Sequence, residues 1–332
     1  MSGHQPERAA AGRPGALPGL PAADRCLVMG VVNVTPDSFS DGGAWYGTDA
    51  AVSRGLQLAA QGADLVDVGG ESTRPGAQRV SDAEELRRVV PVISALAEAG
   101  VRVSVDTMRT RVAEAALAAG ACLVNDVSGG LADPQMPRLV ATAGVAYVVM
   151  HWRGHSHDMM QRAVYRDVVG EVSAELRRRV DIVVAEGVDP SRIILDPGLG
   201  FAKRPAHNWE LLTRLDEIAT LGGDGPRFPI LIGASRKSFL GKLLAGPDGT
   251  PRSFAGSDAA TVAVTALAAA AGAWGVRVHE VPDNVDAVRV ATAWRGGSPV
   301  RPDPLVGQPA GRPAPAGQPT PAGSPSPPAG RG

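Results

Sequence analysis

The sequence predicts a (β/α)8 barrel, in which eight parallel strands alternate with helices. Eight short apolar runs recur at broadly regular spacing between residues 25 and 296, and segments with helical patterns separate them. Most of the runs end in polar residues. A doubly wound open sheet is the alternative, but eight core strands without residues for a second domain favour a closed barrel.

Each predicted strand is a short run rich in Val and Ile that is flanked by glycine or polar residues. In chain order the runs are CLVMGVVN, DLVDVGG, VRVSVDT, CLVNDVS, AYVVMHW, RIILDPG, PILIGAS and GVRVHEV. The helix SDAEELRRVVPVISALAEAG opens with a Ser81/Glu84 capping-box pattern and stops at Gly100. Pro91 predicts either a kink in this helix or a later start for it.

Composition divides the 332 residues into three segments. Residues 1–24 and 297–332 are rich in Ala, Gly and Pro, and we expect both to be disordered because they bury too little apolar surface. Residues 25–296 form the predicted barrel domain. The N-terminal segment lacks the apolar centre of a secretory signal, and no apolar run reaches the roughly 18 residues that span a bilayer.

Charge and cysteine usage limit the class of protein further. The chain has 33 basic and 34 acidic residues and a formal net charge of -1, without a basic stripe, so we expect neither a nucleic-acid nor a membrane partner. Cys26 and Cys122 lie in apolar runs, which indicates reduced core residues of a cytoplasmic protein. Only three lysines occur, at positions 203, 237 and 242.

Polar side chains recur at the C-terminal ends of the predicted strands, where (β/α)8 barrels carry their active sites. Arg277 and His279 are two residues apart and therefore share one face of the eighth strand. Asp126 and Ser235, taken singly, could each be the N-cap of the following helix, but a whole ring of such residues needs binding partners. The other members of the ring are Asn33, Asp67, Asp106, Asn125, His151, Asp196 and Lys237.

The residue types in this ring suit a flat heterocycle with hydrogen-bond donors and acceptors on its edge. A carboxylate such as Asp106 or Asp196 pairs well with an N–C–N donor pair, and Asn125 offers both a donor and an acceptor. Arg277 and His279 lie where this fold commonly binds phosphate. The residues alone therefore predict a heterocycle in the mouth and a phosphate beside it.

Seven ordered motifs resemble the dihydropteroate synthase family. They are MGVVNVTPDSFSDGG, DVGGESTRPG, VSVDT, VNDVSGG, LDPGLGFAK, GASRKSFLG and GVRVHEV, spanning residues 29–281. VMHWRG and GAWGVRVHEV are most similar to the actinobacterial branch. The family joins 6-hydroxymethyl-7,8-dihydropterin diphosphate to p-aminobenzoate in folate biosynthesis, giving 7,8-dihydropteroate and pyrophosphate. It is the target of sulfonamides.

The resemblance implies a role for each motif residue. Asn33 would ligate Mg2+, and Asp41 would either steady a pterin cation or take up the amine proton. Arg277 and His279 would bind the diphosphate, with Thr73 near by. The residues that would hold the pterin edge are Asp106, Asn125, Asp196 and Lys237. The residues that would line the p-aminobenzoate site are Phe39, Thr73, Arg74, Pro75, Phe201 and Ser235.

The resemblance also implies a mechanism and an assembly. Diphosphate would leave first, in a largely dissociative step assisted by Mg2+, and the amine of p-aminobenzoate would attack the resulting pterin cation. Closure of the first two loops would keep water from that cation. A homodimer would form through late helices, for which the nearly apolar DAATVAVTALAAAAGAW is the candidate.

Three alternatives to a synthase remain at this stage. They are a pterin-binding methyltransferase, a class I aldolase that uses Lys237 as its Schiff base, and a non-catalytic paralogue. We expect Lys203 to be an ordinary solvated lysine. His151 either lines the mouth or packs beneath it, and His155 and His157 are expected to be loop residues rather than metal ligands.

Overall fold

The barrel prediction is confirmed in the computed structural model, which describes residues 17–35, 44–71, 79–154, 159–253 and 255–296. The eight strands are β1 (Leu27–Asn33), β2 (Leu65–Gly69), β3 (Val103–Asp106), β4 (Leu123–Asp126), β5 (Ala146–Met150), β6 (Ile193–Asp196), β7 (Leu231–Ile232) and β8 (Gly275–Val278). They pair in parallel in the order β6-β5-β4-β3-β2-β1-β8-β7. A parallel bridge between Leu195 and Ile230 joins the two outer edges, so the open sheet is excluded.

Helices separate consecutive strands. Those in the described ranges are α1 (Ala44–Ala60), α2 (Asp82–Glu98), α3 (Thr110–Ala118), α4 (Met136–Ala143), α5 (Val168–Ala185), α6 (Pro205–Thr213), α7 (Leu215–Ala219), α8 (Ser238–Leu243), α9 (Asp258–Ala270) and α10 (Pro282–Trp294). None of the described helices has the length and apolar character needed to cross a membrane.

Helix α2 begins where its capping pattern predicts, because the Ser81 hydroxyl accepts a hydrogen bond from the backbone N–H of Glu84 at 3.2 Å. The helix runs through Pro91, so the alternative of a later start is wrong. A proline removes one backbone hydrogen bond, and buried side chains on both sides of it, Val89 and Val92 among them, hold the helix against the barrel.

Strand alternation sorts the apolar residues into two clusters. Outward-facing residues such as Val66 and Val124 pack against the helices in a large outer cluster. Inward-facing residues near the strand starts fill the barrel interior, and they are Leu27, Met29, Leu65, Leu123, Ala146, Val148, Ile194 and Leu231. Cys26 packs in the outer cluster and Cys122 against the inner cluster, as expected for reduced core cysteines.

The lower end of the barrel is closed by residues that the sequence assigned to a disordered extension. Leu17 and Leu20 are buried and belong to the inner cluster, so the predicted domain boundary at residue 25 is too late. These two leucines lie within an Ala/Gly/Pro-rich stretch. They pack against the apolar residues at the strand starts, and this contact removes their side chains from water. The low apolar content of the whole segment concealed them.

Candidate active site at the mouth of the barrel

The interior of the barrel changes from apolar to polar towards the C-terminal ends of the strands. Leu65 is followed two residues later by Asp67, and Leu123 by Asn125. Since side chains two apart on a strand share a face, Asp67 and Asn125 point inward above the apolar layer. The mouth of the barrel is therefore lined by polar groups that rest on a packed floor.

The register of the strands brings four motif positions to one level of the barrel. Asn33 pairs with Gly69, Gly69 with Asp106, and Asp106 with Asn125. These residues come from four strands that are distant in sequence but adjacent in the sheet. The ring expected from the strand ends is present at this level.

Arg277 connects the carboxylates of this ring. Its Nε donates to Asp67 Oδ2 at 2.6 Å and its Nη2 to Asp106 Oδ2 at 2.7 Å, while Asn125 Nδ2 donates to Asp67 Oδ2 at 3.0 Å. Burial raises the pKa of Asp106, and the Arg277 charge opposes that rise. Asp67 Oδ1 and Ser104 Oγ are buried, and neither has a hydrogen-bond partner among the described residues. Two carboxylates against one guanidinium favour a ligand edge that brings N–H donors.

A second group surrounds the β6 loop, which we define as residues Gly198–Lys203. Lys237 Nζ donates to the Leu199 carbonyl at 2.8 Å and lies 4.1 Å from the centre of the Phe201 ring. Burial lowers the pKa of Lys237 to about 8, against the opposing charge of Asp196. Asp196 Oδ1 accepts a hydrogen bond from the Gly198 N–H at 2.7 Å, and burial raises the pKa of this carboxyl.

His279 lies just beyond β8, against Ser235. The Ser235 hydroxyl is 3.0 Å from His279 Nδ1 and accepts a hydrogen bond from the His279 backbone N–H at 3.3 Å. Ser235 thus helps to orient the imidazole of His279, and its place in the p-aminobenzoate site stays a prediction. Asp126 instead faces outward, where it accepts hydrogen bonds from Ser128 and Tyr147 and orders the loop after β4.

Lys203 is buried, with 3% of its surface exposed, so the expectation of a solvated lysine is wrong. Its Nζ lies 3.0 Å from His151 Nδ1 and 3.1 Å from the Phe201 carbonyl. His151 is also buried, and its Nε2 lies 3.0 Å from Glu175 Oε2. His151 therefore packs beneath the rim and supports Lys203.

Backbone strain directly precedes Lys203 and Lys237. Ala202 has φ 47° and Arg236 has φ 58°, values that favour glycine, and each residue comes directly before a lysine of the site. Such conformations cost about 1–3 kcal/mol each and persist where the surroundings hold them. The strained positions thus lie next to the two ammonium groups.

Comparison with known proteins adds a family to this geometry. The family model described as pterin binding enzyme matches residues 29–279. The dihydropteroate synthase of Mycobacterium leprae (strain TN) is 56% identical over 273 residues, which is 82% of this chain and 94% of that protein. The chain belongs to the dihydropteroate synthase family of pterin-binding enzymes.

Solved structures of the family share this barrel. The Xanthomonas albilineans dihydropteroate synthase with 4-aminobenzoic acid is 44% identical, with a TM-score of 0.74 over 83% of this chain and 95% of that one. The same enzyme in complex with 7,8-dihydropteroate is 42% identical, with a TM-score of 0.71 over the same shares. Both structures contain ligands that the motifs predict for a dihydropteroate synthase.

Some predicted positions of the dihydropteroate synthase site lie outside the described residues. These are Phe39, Asp41, Thr73, Arg74 and Pro75. His155 and His157, which we expect to be loop residues, also lie outside the described residues. Sequence reasoning gave no role to Asp67, although its spacing from Leu65 places it on the inward face. It also undervalued Lys203, for which the rarity of lysine in this chain was the available signal.

Proposed function

We propose that this chain condenses 6-hydroxymethyl-7,8-dihydropterin diphosphate with p-aminobenzoate to give 7,8-dihydropteroate and pyrophosphate. The observation that carries the proposal is the polar ring at the barrel mouth, set in a chain with the family's motifs in order. The ring offers carboxylates and an amide, and the Lys237 ammonium lies close enough to interact with Asp196 and Asp106. The ligands of the Xanthomonas albilineans structures, 4-aminobenzoic acid and 7,8-dihydropteroate, support one substrate and the product of this reaction.

The pterin is proposed to lie on the inner floor of the mouth. Asp106 and Asp196 accept from its N–H edge, Asn125 supplies a donor and an acceptor, and Lys237 donates towards its oxo group and N5. Lys237 Nζ lies over one face of the Phe201 ring, 4.1 Å from its centre, and p-aminobenzoate is proposed to pack against another part of that ring. Sulfonamides, which mimic p-aminobenzoate, are proposed to compete at that second site.

The residues at the rim fit a bound Mg2+. Asn33 ends β1 at the mouth, and an amide oxygen is a ligand type that Mg2+ accepts. Mg2+ sites commonly use few protein ligands and take the others from substrate phosphates and water, so a single amide suffices. No cluster of three His, Cys, Asp or Glu side chains suited to a metal occurs among the described residues. When bound with the substrate, Mg2+ would supply charge neutralisation at the diphosphate.

The proposed reaction breaks a C–O bond and then forms a C–N bond. The pterin ring stabilises positive charge at its exocyclic methylene, so the diphosphate leaves with the bonding electron pair. Arg277 and His279 stabilise the charge that grows on it, since Arg277 has N–H donors beyond the two that bind Asp67 and Asp106. The p-aminobenzoate nitrogen then attacks the methylene and loses a proton, for which Asp41 is the proposed acceptor.

A homodimer is proposed to form through the late helices. Leu267 on α9 is 71% exposed, and Val290 and Trp294 on α10 are 64% and 87% exposed. Large apolar side chains at such exposure mark surfaces that bind other protein surfaces. Replacing Leu267 with arginine should shift a dimer to monomer in sedimentation, whereas the same change at Leu56, which is 40% exposed on α1, should not. A cytoplasmic location remains part of the proposal.

Product identification tests the proposed function. Purified protein is supplied with the pterin diphosphate, p-aminobenzoate and Mg2+, and the mixture is analysed by mass spectrometry. Formation of 7,8-dihydropteroate that stops when Mg2+ is chelated supports the proposal. Absence of product, with the pterin still bound, would favour a methyltransferase or a non-catalytic paralogue. Borohydride trapping of a carbonyl substrate on Lys237 would instead indicate an aldolase.

A further inference from the structure

Lys203 stands out among the buried charged groups, because the proposed reaction gives it no role. It is 3% exposed and ends the β6 loop, whose residues Leu199 and Phe201 contact Lys237. A buried ammonium is costly unless hydrogen bonds and opposite charge surround it. The environment of Lys203 should therefore show what its charge does.

The partners of Lys203 form a chain that leads from the β6 loop to α5. Lys203 Nζ lies 3.0 Å from His151 Nδ1, His151 Nε2 lies 3.0 Å from Glu175 Oε2, and Glu175 also accepts hydrogen bonds from Arg153. Burial, together with the neighbouring Lys203 charge, lowers the pKa of His151 to about 4, so the imidazole is neutral. The Glu175 carboxylate accepts from Nε2–H, which leaves the Nδ1 lone pair to accept from the Lys203 ammonium.

The Lys203 ammonium also holds the β6 loop in place. Lys203 Nζ donates to the Phe201 carbonyl at 3.1 Å, and the ring of Phe201 lies 4.1 Å from Lys237 Nζ. The loop passes so close to β5 that a Cβ on Gly198 would collide with the His151 carbonyl. Ala202 adopts a strained φ of 47° in this loop, and Lys203 and Lys237 help to hold that conformation.

The charges that face Lys203 come from every element packed against it. Burial lowers the pKa of Lys203 to about 7, and the Asp196 carboxylate opposes that fall. The Lys203 charge in turn lowers the pKa of Asp196, which burial raises. The charged or titratable groups around it are Asp196 on β6, Lys237 after β7, His151 and Arg153 after β5, Glu175 on α5 and His207 on α6.

We propose that Lys203 is a positioning residue for the pterin pocket. His151, which Glu175 orients, holds the Lys203 ammonium in place. The ammonium in turn fixes the Phe201 carbonyl and so the surface against which Lys237 lies. The inference rests on the proposed function, since it assumes that Lys237 and Asp196 bind the pterin. Lys203 itself contacts neither substrate. Its effect should therefore appear as weaker pterin binding together with a change at His151.

The test compares Lys203→Met with Lys242→Met, because Lys242 is an exposed lysine on α8. Calorimetry with 6-hydroxymethyl-7,8-dihydropterin should show an affinity loss of about tenfold for Lys203→Met, the size expected for one lost charge-assisted hydrogen bond. The control should bind as the parent does. Lys203→Arg, which keeps the donor and the charge, should recover part of the loss.

A nitrogen NMR titration of His151 tests the contact between Lys203 and the imidazole, while recovery of pterin affinity in Lys203→Arg separates positioning from a general structural role. The pKa of His151 should rise in Lys203→Met, because the neighbouring positive charge is gone. Should Lys203→Met fail to fold, Glu175→Gln serves instead: it keeps a hydrogen bond to His151 without the charge and should weaken pterin binding about threefold. Unchanged pterin affinity in a folded Lys203→Met or Glu175→Gln variant would overturn the inference. Failure of the parent protein to bind pterin would overturn the proposed function instead.

Discussion

Asp67 provides a sharp test of how the polar ring is held together, because the motifs gave it no role and the structure places it at the centre. It is completely buried and accepts hydrogen bonds at Oδ2 from Arg277 and from Asn125. Asp67→Asn keeps the shape of the side chain and removes its charge. The new amide oxygen can accept only an uncharged hydrogen bond. A donor that faces the new NH2 group instead loses its acceptor.

The expected loss follows from the two bonds. A hydrogen bond to a charged group contributes about 1.5–3 kcal/mol and a neutral one about 0.5–1.5 kcal/mol. Both bonds end on the carboxylate and are therefore charge-assisted, whereas the variant can keep only one of them, as a neutral bond. Arg277 still pairs with Asp106, so the larger cost of a buried charge without a partner does not arise. We expect the free energy of unfolding to fall by about 2.5–4.5 kcal/mol.

Equilibrium urea unfolding measures this loss against a matched control. Asp286 forms an exposed ion pair with Arg289 at 3.0 Å on α10, so Asp286→Asn makes the same chemical change at the surface. Exposed pairs contribute about 0–1 kcal/mol. If Asp67→Asn destabilised the protein no more than Asp286→Asn, the buried Arg277–Asp67 bond would not be holding the ring.

Four further changes test other parts of the site. Asp196→Asn should strongly weaken pterin binding, and unchanged affinity in calorimetry would remove Asp196 from the pocket. His279→Ala should mainly weaken diphosphate binding; lost affinity for a pterin without diphosphate would contradict that role. The pKa of Lys237 is lowered to about 8, so its charge is present below that pH, and pterin affinity should fall as the pH rises through about 8. Lys237→Arg should reduce this fall in affinity. An unchanged fall in that variant would assign the titration to another group. Arg109→Gln should lower the free energy of unfolding by about 3 kcal/mol, because Glu85 is buried beside it; a stability equal to the parent in urea would show that Glu85 finds another partner.

The strands and the polar ring were predictable because both depend on local sequence. Valine-rich runs predicted all eight strands, and a polar residue at the end of a run marks the same edge of the sheet every time. The spacing of Arg277 and His279 was enough to place them on one face of β8. Their joint placement near the mouth followed from the closed order of parallel strands.

The burial of Lys203 and the two leucines near the N-terminus was not predictable in this way. Lys203 is enclosed by His151 and Glu175, which are 52 and 28 residues away in sequence, and only the assembled barrel brings them together. Leu17 and Leu20 lie in a stretch whose composition resembles a solvated segment, but the open floor of the barrel supplies them with an apolar surface. Both cases depend on contacts between residues distant in sequence, which a local sequence pattern does not indicate.

Pyrophosphate release tests the central claim most directly. The purified protein is given the pterin diphosphate and Mg2+, with and without p-aminobenzoate, and the initial rate of pyrophosphate formation is measured. A dihydropteroate synthase releases pyrophosphate rapidly only when p-aminobenzoate is present, with one 7,8-dihydropteroate formed for each pyrophosphate. No release in the presence of p-aminobenzoate, from protein that still binds the pterin, would contradict the proposed function.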